Sequence, residues 1–432
     1  MDPVLTSHVR EPNGHTLEAY LRRGGYEGLR KALGMAPGDV IEMVKASGLR
    51  GRGGAGFPTG MKWQFVPKDS PRPKYLCCNA DESEPGTFKD HVLMERNPHL
   101  LLEGCAIGCR AIGAKVAYIY IRGEFHHVQL VLEAAIAEAR AAGYLGKDIL
   151  GTGFDCEVYV HRGAGAYEAG EESALLESLE GKRAQPRIRP PFPAVVGLYG
   201  CPTAINNVET LCNVPLILTR GPEWFTALGP EKNGGPKLYC LSGHVERPGV
   251  YEASMHVTLR ELIYGHAGGI RGGRRLKAII PGGSSTPVIL PDQLDAQASF
   301  EGLVKAGSML GSAAIIVMDD TTCMVWLAEN LLHFYRHESC GKCTPCREGT
   351  DWLVKILHRI EAGEGSMHDI DLLLGVAGNI GGKTLCPFGD AAVAPVLSTI
   401  QHFRHEYEAH VREGRCTCPA EWRDMEELGA GG

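Results

Sequence analysis

Between Lys74 and Leu179 the chain alternates short apolar runs with helical stretches, and this alternation limits the possible folds more than any other feature of the sequence. Lys74 to Cys78 reads as a buried strand, Leu100 to Ile112 as a helix and Lys115 to Ile121 as a second strand. Val128 to Ala142 follows as an Ala-rich helix, Cys156 to His161 as a third strand and Glu171 to Leu179 as a helix. Strands spaced in this way are joined by right-handed crossovers, which gives a parallel sheet covered on both faces. The expected class is α/β, with a Rossmann-like doubly wound domain. Open sheets of this kind hold ligands just past the carboxyl ends of their strands, so Asn79, Asp81, Ser83 and Glu84 point toward a site. A solvated turn around Pro85-Gly86 would account for the same polar residues.

Upstream of the first strand lies Gly51-Arg52-Gly53-Gly54-Ala55-Gly56-Phe57-Pro58-Thr59-Gly60, with five glycines in ten residues. Without Cβ atoms such a backbone can bring its N–H groups close to a phosphate or a flat ring. Arg50, Arg52 and Lys62 add positive charge, and Phe57 and Trp63 are expected to supply aromatic faces. Gly51, Gly53 and Gly56 match G-x-G-x-x-G in letters, but that fingerprint needs a strand before it. Here Pro37 to Ser47 carries Val40, Met43 and Val44 at helical spacing, so a helix precedes the loop. The pattern predicts an anionic, planar ligand, against the plainer reading of a glycine-rich surface turn.

A second glycine loop, Gly163 to Gly170, does have the strand–loop–helix order in which backbone N–H groups and a helix N-terminus favour a negative ligand. Glu171 and Glu172 follow it. For Glu171 a role as dipole partner in the first helical turn is as good an account as ligand binding. Two carboxylates would repel a phosphate, so hydroxyl or amide donors of the ligand are their expected partners. Asn206, Asn207 and Thr210 form a further polar cluster.

A length of 432 residues exceeds what one core sustains and predicts two or three domains. The expected limits are 1–235 for the α/β domain, 236–323 for a β-grasp domain, 324–420 for a four-helix bundle, and a tail at 421–432. The β-grasp reading rests on Lys237 to Leu241 and Gly249 to Glu252 around a turn, a capping box at Thr258 to Glu261, and strands at Leu276 to Ile280 and Ala313 to Met318. Helical spacing recurs over Met324 to His337, Asp351 to Glu361, Asp369 to Gly378 and Asp390 to Val411. A net charge of −7 gives no broad attraction for nucleic acid. No apolar run is long enough to span a bilayer and no leader peptide is evident at Met1, so a cytoplasmic chain, attached to a membrane only through partners, is expected.

Fifteen cysteines are many for such a compartment, and an odd number argues against a full disulfide set. Cys340-Gly-Lys-Cys343-Thr-Pro-Cys346 places three thiolates on one loop, and Pro345 at a first helical position would put Cys346 where the helix dipole favours the thiolate. Cys386, followed by Pro387, is the best fourth ligand for a cubane iron–sulfur cluster. Zinc is the competitor, although its structural sites more often pair two ligands with two. Most of the other cysteines read as buried, inert thiols, while Cys416 and Cys418 near the C-terminus could bind metal. A nicotinamide gives up two electrons as hydride and a cluster takes one at a time, so a flavin between them is the economical converter.

Taken together, Gly51 through Gly60, Asn79 through Gly86, Gly163 through Tyr167, Gly170-Glu171-Glu172 and Glu338 through Gly349 resemble the NADH-binding flavoprotein subunit of respiratory complex I, NADH:quinone oxidoreductase. The resemblance runs in order over nearly the whole chain. It implies FMN contacts at Gly51, Arg52, Gly53, Lys62, Asn79, Asp81, Ser83, Gly170, Glu171, Asn206, Asn207 and Thr210. Gly54, Ala55, Phe57, Phe65, Glu84, Tyr167, Glu172 and Phe192 match the family's surfaces around NADH. Cys340, Cys343, Cys346 and Cys386 match its [4Fe-4S] ligands. The family uses no acid or base side chain; stacking of nicotinamide on the flavin aligns donor and acceptor.

Implied partners are the small [2Fe-2S] thioredoxin-like subunit and the large iron–sulfur subunit, with no nucleic acid and no direct membrane insertion. The implied location is peripheral, on the cytoplasmic face of the inner membrane. One departure is Ala169, where the family usually has Cys. The alternative is a diaphorase subunit of a soluble NAD-linked hydrogenase or formate dehydrogenase; a zinc-stapled scaffold would need neither glycine loop.

Overall fold

The computed structural model describes residues 2–418, so the expected tail at 421–432 lies outside the described residues. Two four-stranded sheets form, in the orders β3-β2-β1-β4 and β6-β5-β8-β7. The chain divides into two compact units. The first comprises Met1–Ser83, Thr87–Cys240 and Val250–Val257, and the second Glu84–Gly86, Leu241–Gly249 and Thr258–Gly432.

The first unit opens with short helices α1 (Leu17–Arg22) and α2 (Glu27–Leu33), then α3 (Pro37–Ala46), which does precede the glycine loop, and α4 (Thr59–Gln64) after it. The alternation then runs β1 (Tyr75–Ala80), α5 (Asp90–Arg96), α6 (Pro98–Ile112), β2 (Val116–Ile121), α7 (His126–Ala141), β3 (Glu157–Arg162), α8 (Glu172–Leu179), β4 (Thr203–Asn207), α9 (Val208–Arg220) and α10 (Pro222–Ala227). All pairings in this sheet are parallel, as the crossovers require. Nearly every residue of α6 is buried, which explains why it lacks an amphipathic stripe and reads as a continuous apolar run.

The order 3-2-1-4 reverses direction at β1, so β1 and β4 flank the switch point at which doubly wound sheets open a crevice. The register pairs Cys78 with Asn206 and Asn79 with Asn207 across it. β4 and α9 are among the elements that sequence patterning misses: β4 ends in two asparagines, and α9 carries Pro215 in its interior. Asn207 caps α9, its side chain accepting from Thr210 N.

Strands β5 (Pro236–Gly243), β6 (Gly249–Ser254), β7 (Leu276–Ile280) and β8 (Ala314–Asp319), with α11 (Phe300–Lys305), make the β-grasp portion. The expected capping box forms: Thr258 N donates to Glu261 Oε2 at 2.8 Å and Glu261 N to Thr258 Oγ1 at 3.2 Å. It opens a wide π-type turn, Glu261–His266, rather than a regular short helix. The second unit ends in four helices, α12 (Met324–Glu338), α13 (Thr344–Glu361), α14 (Met367–Ile380) and α15 (Phe388–Glu413), around a core that includes Val325, Leu332, Leu357, Leu373 and Val396.

Candidate functional site

Within the first unit the glycine loop is a bent ribbon closed at its base. Gly51 N donates to Phe57 O at 2.9 Å, Arg50 Nε to Gly56 O at 2.8 Å, and Thr59 N to Leu49 O at 2.8 Å. Its apex is anchored from below, because Arg52 N donates to Thr210 Oγ1 at 2.8 Å. A Cβ on Gly53 would sit 3.0 Å from Asn207 Cβ, so glycine there lets the ribbon lie directly on the end of β4. Gly54, at φ +139°, faces open space.

The arrangement brings Gly51, Arg52, Gly53, Asn206, Asn207 and Thr210 to one end of the sheet's switch point, and β1 delivers Asn79 and Asp81 beside them. Asn79 Nδ2 donates to Gly170 O at 2.8 Å, and a Cβ on Gly170 would lie 3.5 Å from Asp81 Oδ2, so the second glycine loop closes the same corner. Ser83 follows at the end of this segment.

The charged residues are not all used as their sequence positions suggest. Arg52 is fully buried: its guanidinium donates to Gly234 O at 2.6 Å and sits 3.6 Å from Met255 Sδ, so its charge acts on the loop from beneath. Glu171 is the N-cap of α8, accepting at 2.9 Å from both Ser173 N and Ala174 N. Glu172 is held by Lys62 Nζ at 2.8 Å and Arg189 Nη1 at 3.0 Å; burial would raise its pKa, but these cations outweigh burial and lower it. The expectation that Trp63 offers an aromatic face is wrong. Trp63 is 0% exposed, and its indole N–H donates to Asn206 Oδ1 at 2.8 Å, a core role that fixes the end of β4. Phe57, Phe65 and Phe192 do stand out, at 45, 55 and 58% exposed, and the Phe57 and Phe65 rings lie 6.3 Å apart.

Tyr167 lies in a 3₁₀ turn, Tyr167–Gly170, and Ala55 is exposed at the loop tip. Ala169 is 1% exposed among Cys77, Leu175 and Ile205, so the position is a packing one. Glu84 belongs to the second unit, where its carboxylate accepts from Ser284 Oγ at 3.0 Å and Ser285 N at 2.8 Å.

Behind the switch point is a buried ionic network that sequence patterning does not reveal. Lys89 Nζ lies 2.8 Å from Asp90 Oδ1 and 2.7 Å from Glu209 Oε2, and Lys237 Nζ is 2.6 Å from the same Glu209 oxygen. Asn207 Nδ2 donates to Asp90 Oδ2 at 2.7 Å, which ties the network to the loop above. Burial opposes the Glu209 carboxylate, yet Lys237, Lys89 and Arg52 overcome it and push its pKa down to about 2. Burial dominates at Lys237, which falls to about 8 despite Glu209. We take Glu209 as ionised, since two ammonium groups share it.

This corner fits a phosphorylated, planar cofactor. Among the described residues, Ser83 Oγ, Thr59 Oγ1 and Arg52 Nε are buried polar atoms with no hydrogen-bond partner in the protein. Each lies in one of two segments, Gly51 to Lys62 and Asn79 to Ser83, that carry expected FMN contacts.

In the second unit, Cys343 is the N-cap of α13 and Pro345 stands in its first turn, which places Cys346 there as expected. Cys346 Sγ lies 3.2 Å from Ser339 Oγ, and Leu385 N donates to Cys343 Sγ at 3.3 Å, bringing the segment that carries Cys386 against the three-cysteine loop. Amide and dipole donors directed at these sulfurs favour thiolates. All fifteen cysteines are free, and most of those outside the bundle's loops are buried in apolar surroundings.

Comparison with known proteins agrees with this geometry. A family model described as the Nuo51 FMN-binding domain matches residues 44–216, an SLBB domain model matches 237–317, and one described as the NADH-ubiquinone oxidoreductase-F iron-sulfur binding region matches 326–410. The second F-type NADH-quinone oxidoreductase subunit of Rhizobium meliloti (strain 1021) is 59% identical over 416 residues, covering 96% of this chain and 99% of that relative. The F-type NADH-quinone oxidoreductase subunit of Streptomyces coelicolor is 55% identical over 432 residues, covering 99% of this chain and 96% of its own length. Among solved structures, a chain of an NAD+-reducing [NiFe]-hydrogenase in the air-oxidised state aligns with a TM-score of 0.82 at 36% identity, covering 95% of this chain and 67% of that one.

Proposed function

The chain belongs to the family of F-type NADH-quinone oxidoreductase subunits, with an FMN-binding domain and a [4Fe-4S] region, and from that membership we propose its route for electrons. It takes hydride from NADH at bound FMN and delivers electrons singly to the cluster, as the input subunit of a complex that reduces quinone. The observation that carries this reading is the meeting of the Gly51–Gly54 ribbon, the Asn79–Ser83 segment and the Asn206–Thr210 segment at one switch point, with orphaned polar atoms beneath.

FMN, when bound, supplies the exchange between two-electron and one-electron chemistry. The chain's own residues bind and orient. Backbone N–H groups of the ribbon suit the phosphate and ribityl hydroxyls, with the Arg52 charge below, while Asn206, Asn207 and Thr210, whose side chains hold Trp63, Asp90 and Arg52 N, fix the end of β4 and the ribbon around them. The exposed faces of Phe57, Phe65 and Phe192 suit a planar nicotinamide or adenine ring, and orientation by stacking is the catalytic contribution. Lys62, fixed by Glu172, keeps a cation at the rim. Cys340, Cys343, Cys346 and Cys386 are the proposed cluster ligands, three thiolates on one loop closed by a fourth before a proline.

The diaphorase alternative is less favoured. Identity to the quinone oxidoreductase relatives is higher than to the hydrogenase chain, and this chain spans those relatives almost end to end. We assign the partners to the small [2Fe-2S] thioredoxin-like subunit and the large iron–sulfur subunit, and the location to the cytoplasmic face of the membrane. No helix among the described residues is long and apolar enough to cross a membrane. We place the domain limits at 1–235, 236–323 and 324–420. The site assignment is tested by Phe57→Ala and Glu84→Gln in the FMN-loaded protein: both raise the KM for NADH with FMN content unchanged, and an unchanged KM in both removes these residues from the site.

A further inference from the structure

At the end of the bundle away from the three-cysteine loop, four metal-binding side chains converge that the electron-transfer role does not use. We propose that Cys323, Glu361, His410 and Cys416 form a tetrahedral zinc site. One donor atom from each lies within 4.8 Å of all the others. Cys323 Sγ is 3.4 Å from His410 Nε2 and 3.6 Å from Glu361 Oε2, and those two atoms are 3.1 Å apart. With Zn–S near 2.3 Å and Zn–N or Zn–O near 2.0–2.1 Å, a tetrahedron has donor–donor edges of roughly 3.3–3.8 Å. The three edges among Cys323, His410 and Glu361 match these lengths to within a few tenths of an ångström, and Cys416 Sγ lies within 4.8 Å of each of them.

The surrounding bonds orient the donors toward a shared centre. His410 Nδ1 lies 2.8 Å from Glu406 O. A carbonyl only accepts, so Nδ1 carries a proton and Nε2 is the atom that faces the sulfur and the carboxylate; this is the outer contact that fixes the tautomer of a zinc-bound histidine. Three such atoms directed at one another need a positive charge between them, a proton or a metal ion, and the second sulfur, from Cys416, completes a set that suits the metal. Trp326 N donates to Cys323 Sγ at 3.4 Å from the first turn of α12, which favours the thiolate. Cys323 and His410 are fully buried and Cys416 is 7% exposed. Thiolate and imidazole together select zinc over the hard cations calcium and magnesium.

The site is distinct from the cluster cysteines. α12 begins after Cys323 and ends at Glu338, next to Ser339-Cys340. Its fifteen residues rise roughly 22 Å. α13 returns from Cys343 to Glu361, so the two sets of ligands cap opposite ends of one helical hairpin. Zinc has no redox chemistry, so its part here is to clasp the segment after α15 to the start of α12 and the end of α13. We place Cys418 outside the set: it groups instead with Cys323 and Glu406, its sulfur 3.8 Å from Glu406 Oε2, a carboxylate whose other oxygen is 2.6 Å from Lys277 Nζ.

The test is metal analysis and zinc-edge X-ray absorption on the full chain with its flavin and iron, purified without chelator and after growth with added zinc. One zinc per chain is expected, with a shell of two sulfurs and two nitrogen or oxygen atoms. Cys416→Ser loses the zinc and keeps the iron, whereas Cys418→Ser keeps both. Absence of zinc, a shell of four sulfurs, zinc retained in Cys416→Ser, zinc lost in Cys418→Ser, or a Cys323–Cys416 disulfide in reductant would each overturn the proposal. The wild-type absorption spectrum decides even if a variant fails to fold.

Discussion

The backbone N–H of Arg52 donates to Thr210 Oγ1 at 2.8 Å, and this bond fastens the apex of the glycine ribbon to the N-terminus of α9. Thr210→Val keeps the shape and removes the acceptor, leaving a buried N–H unsatisfied at a cost of about 1–3 kcal/mol. Weaker FMN retention on gel filtration, with a melting temperature a few degrees lower, is the expected outcome; retention equal to wild type would show that the anchor does not shape the cradle.

Gly53→Ala tests the same cradle from the other side. The added methyl meets Asn207 Cβ at 3.0 Å, and Asn207 also holds Asp90 and caps α9, so it cannot retreat freely. Overpacking of this kind costs roughly 1–3 kcal/mol. Fluorescence titration should show FMN affinity falling about thirtyfold, which is what a loss of about 2 kcal/mol, the middle of that range, produces, with circular dichroism unchanged. Wild-type affinity would place the cofactor elsewhere.

Glu209 joins Lys89 and Lys237 in the core, and Glu209→Gln leaves two ammonium groups sharing a neutral amide. Breaking a buried pair in this way costs about 3–5 kcal/mol, read as a fall in the urea midpoint at neutral pH. Because its folded pKa is depressed from 4.5 to about 2, the unfolded chain binds the extra proton in that interval. The stabilisation is therefore complete above pH 4.5 and is lost as pH falls toward about 2. The wild type should lose stability more steeply than Glu209→Gln across that window; equal slopes would mean Glu209 does not carry the acid sensitivity.

The sheet and the helical bundle are legible in the sequence because their apolar periodicity is local. What is not legible depends on contacts between distant segments. The adjacent pair Lys89 and Asp90 lies far in the sequence from Glu209 and Lys237, with no pattern that marks any of the four as buried, and only the folded arrangement of their neighbouring elements draws them into one core. Trp63 reads as a free aromatic beside a ligand loop, yet the buried face of α4 carries it inward to Asn206. Cys416 and Cys418 are visible as possible ligands, but Cys323 and His410 become their neighbours only when the bundle closes. The residues proposed to touch FMN stand out in the sequence because glycine and asparagine clusters are rare in an apolar sheet and fall at its carboxyl end.

Cys346→Ser separates the two redox centres. Cys346 is 7% exposed in the first turn of α13, and a serine hydroxyl is a much weaker ligand for cluster iron than its thiolate. Loss of cluster iron and sulfide is expected while FMN content and its bleaching by NADH persist; loss of flavin as well would mean that the cluster region is needed for the first unit to fold.

The most direct measurement is an anaerobic NADH titration of the purified holoprotein, followed by flavin absorbance and by electron paramagnetic resonance in wild type and Cys346→Ser. Flavin bleaching is expected in both proteins, and in the wild type alone the rise of a reduced four-iron signal. A colourless protein with zinc in place of iron at Cys340, Cys343, Cys346 and Cys386, and no spectral response to NADH, would contradict it.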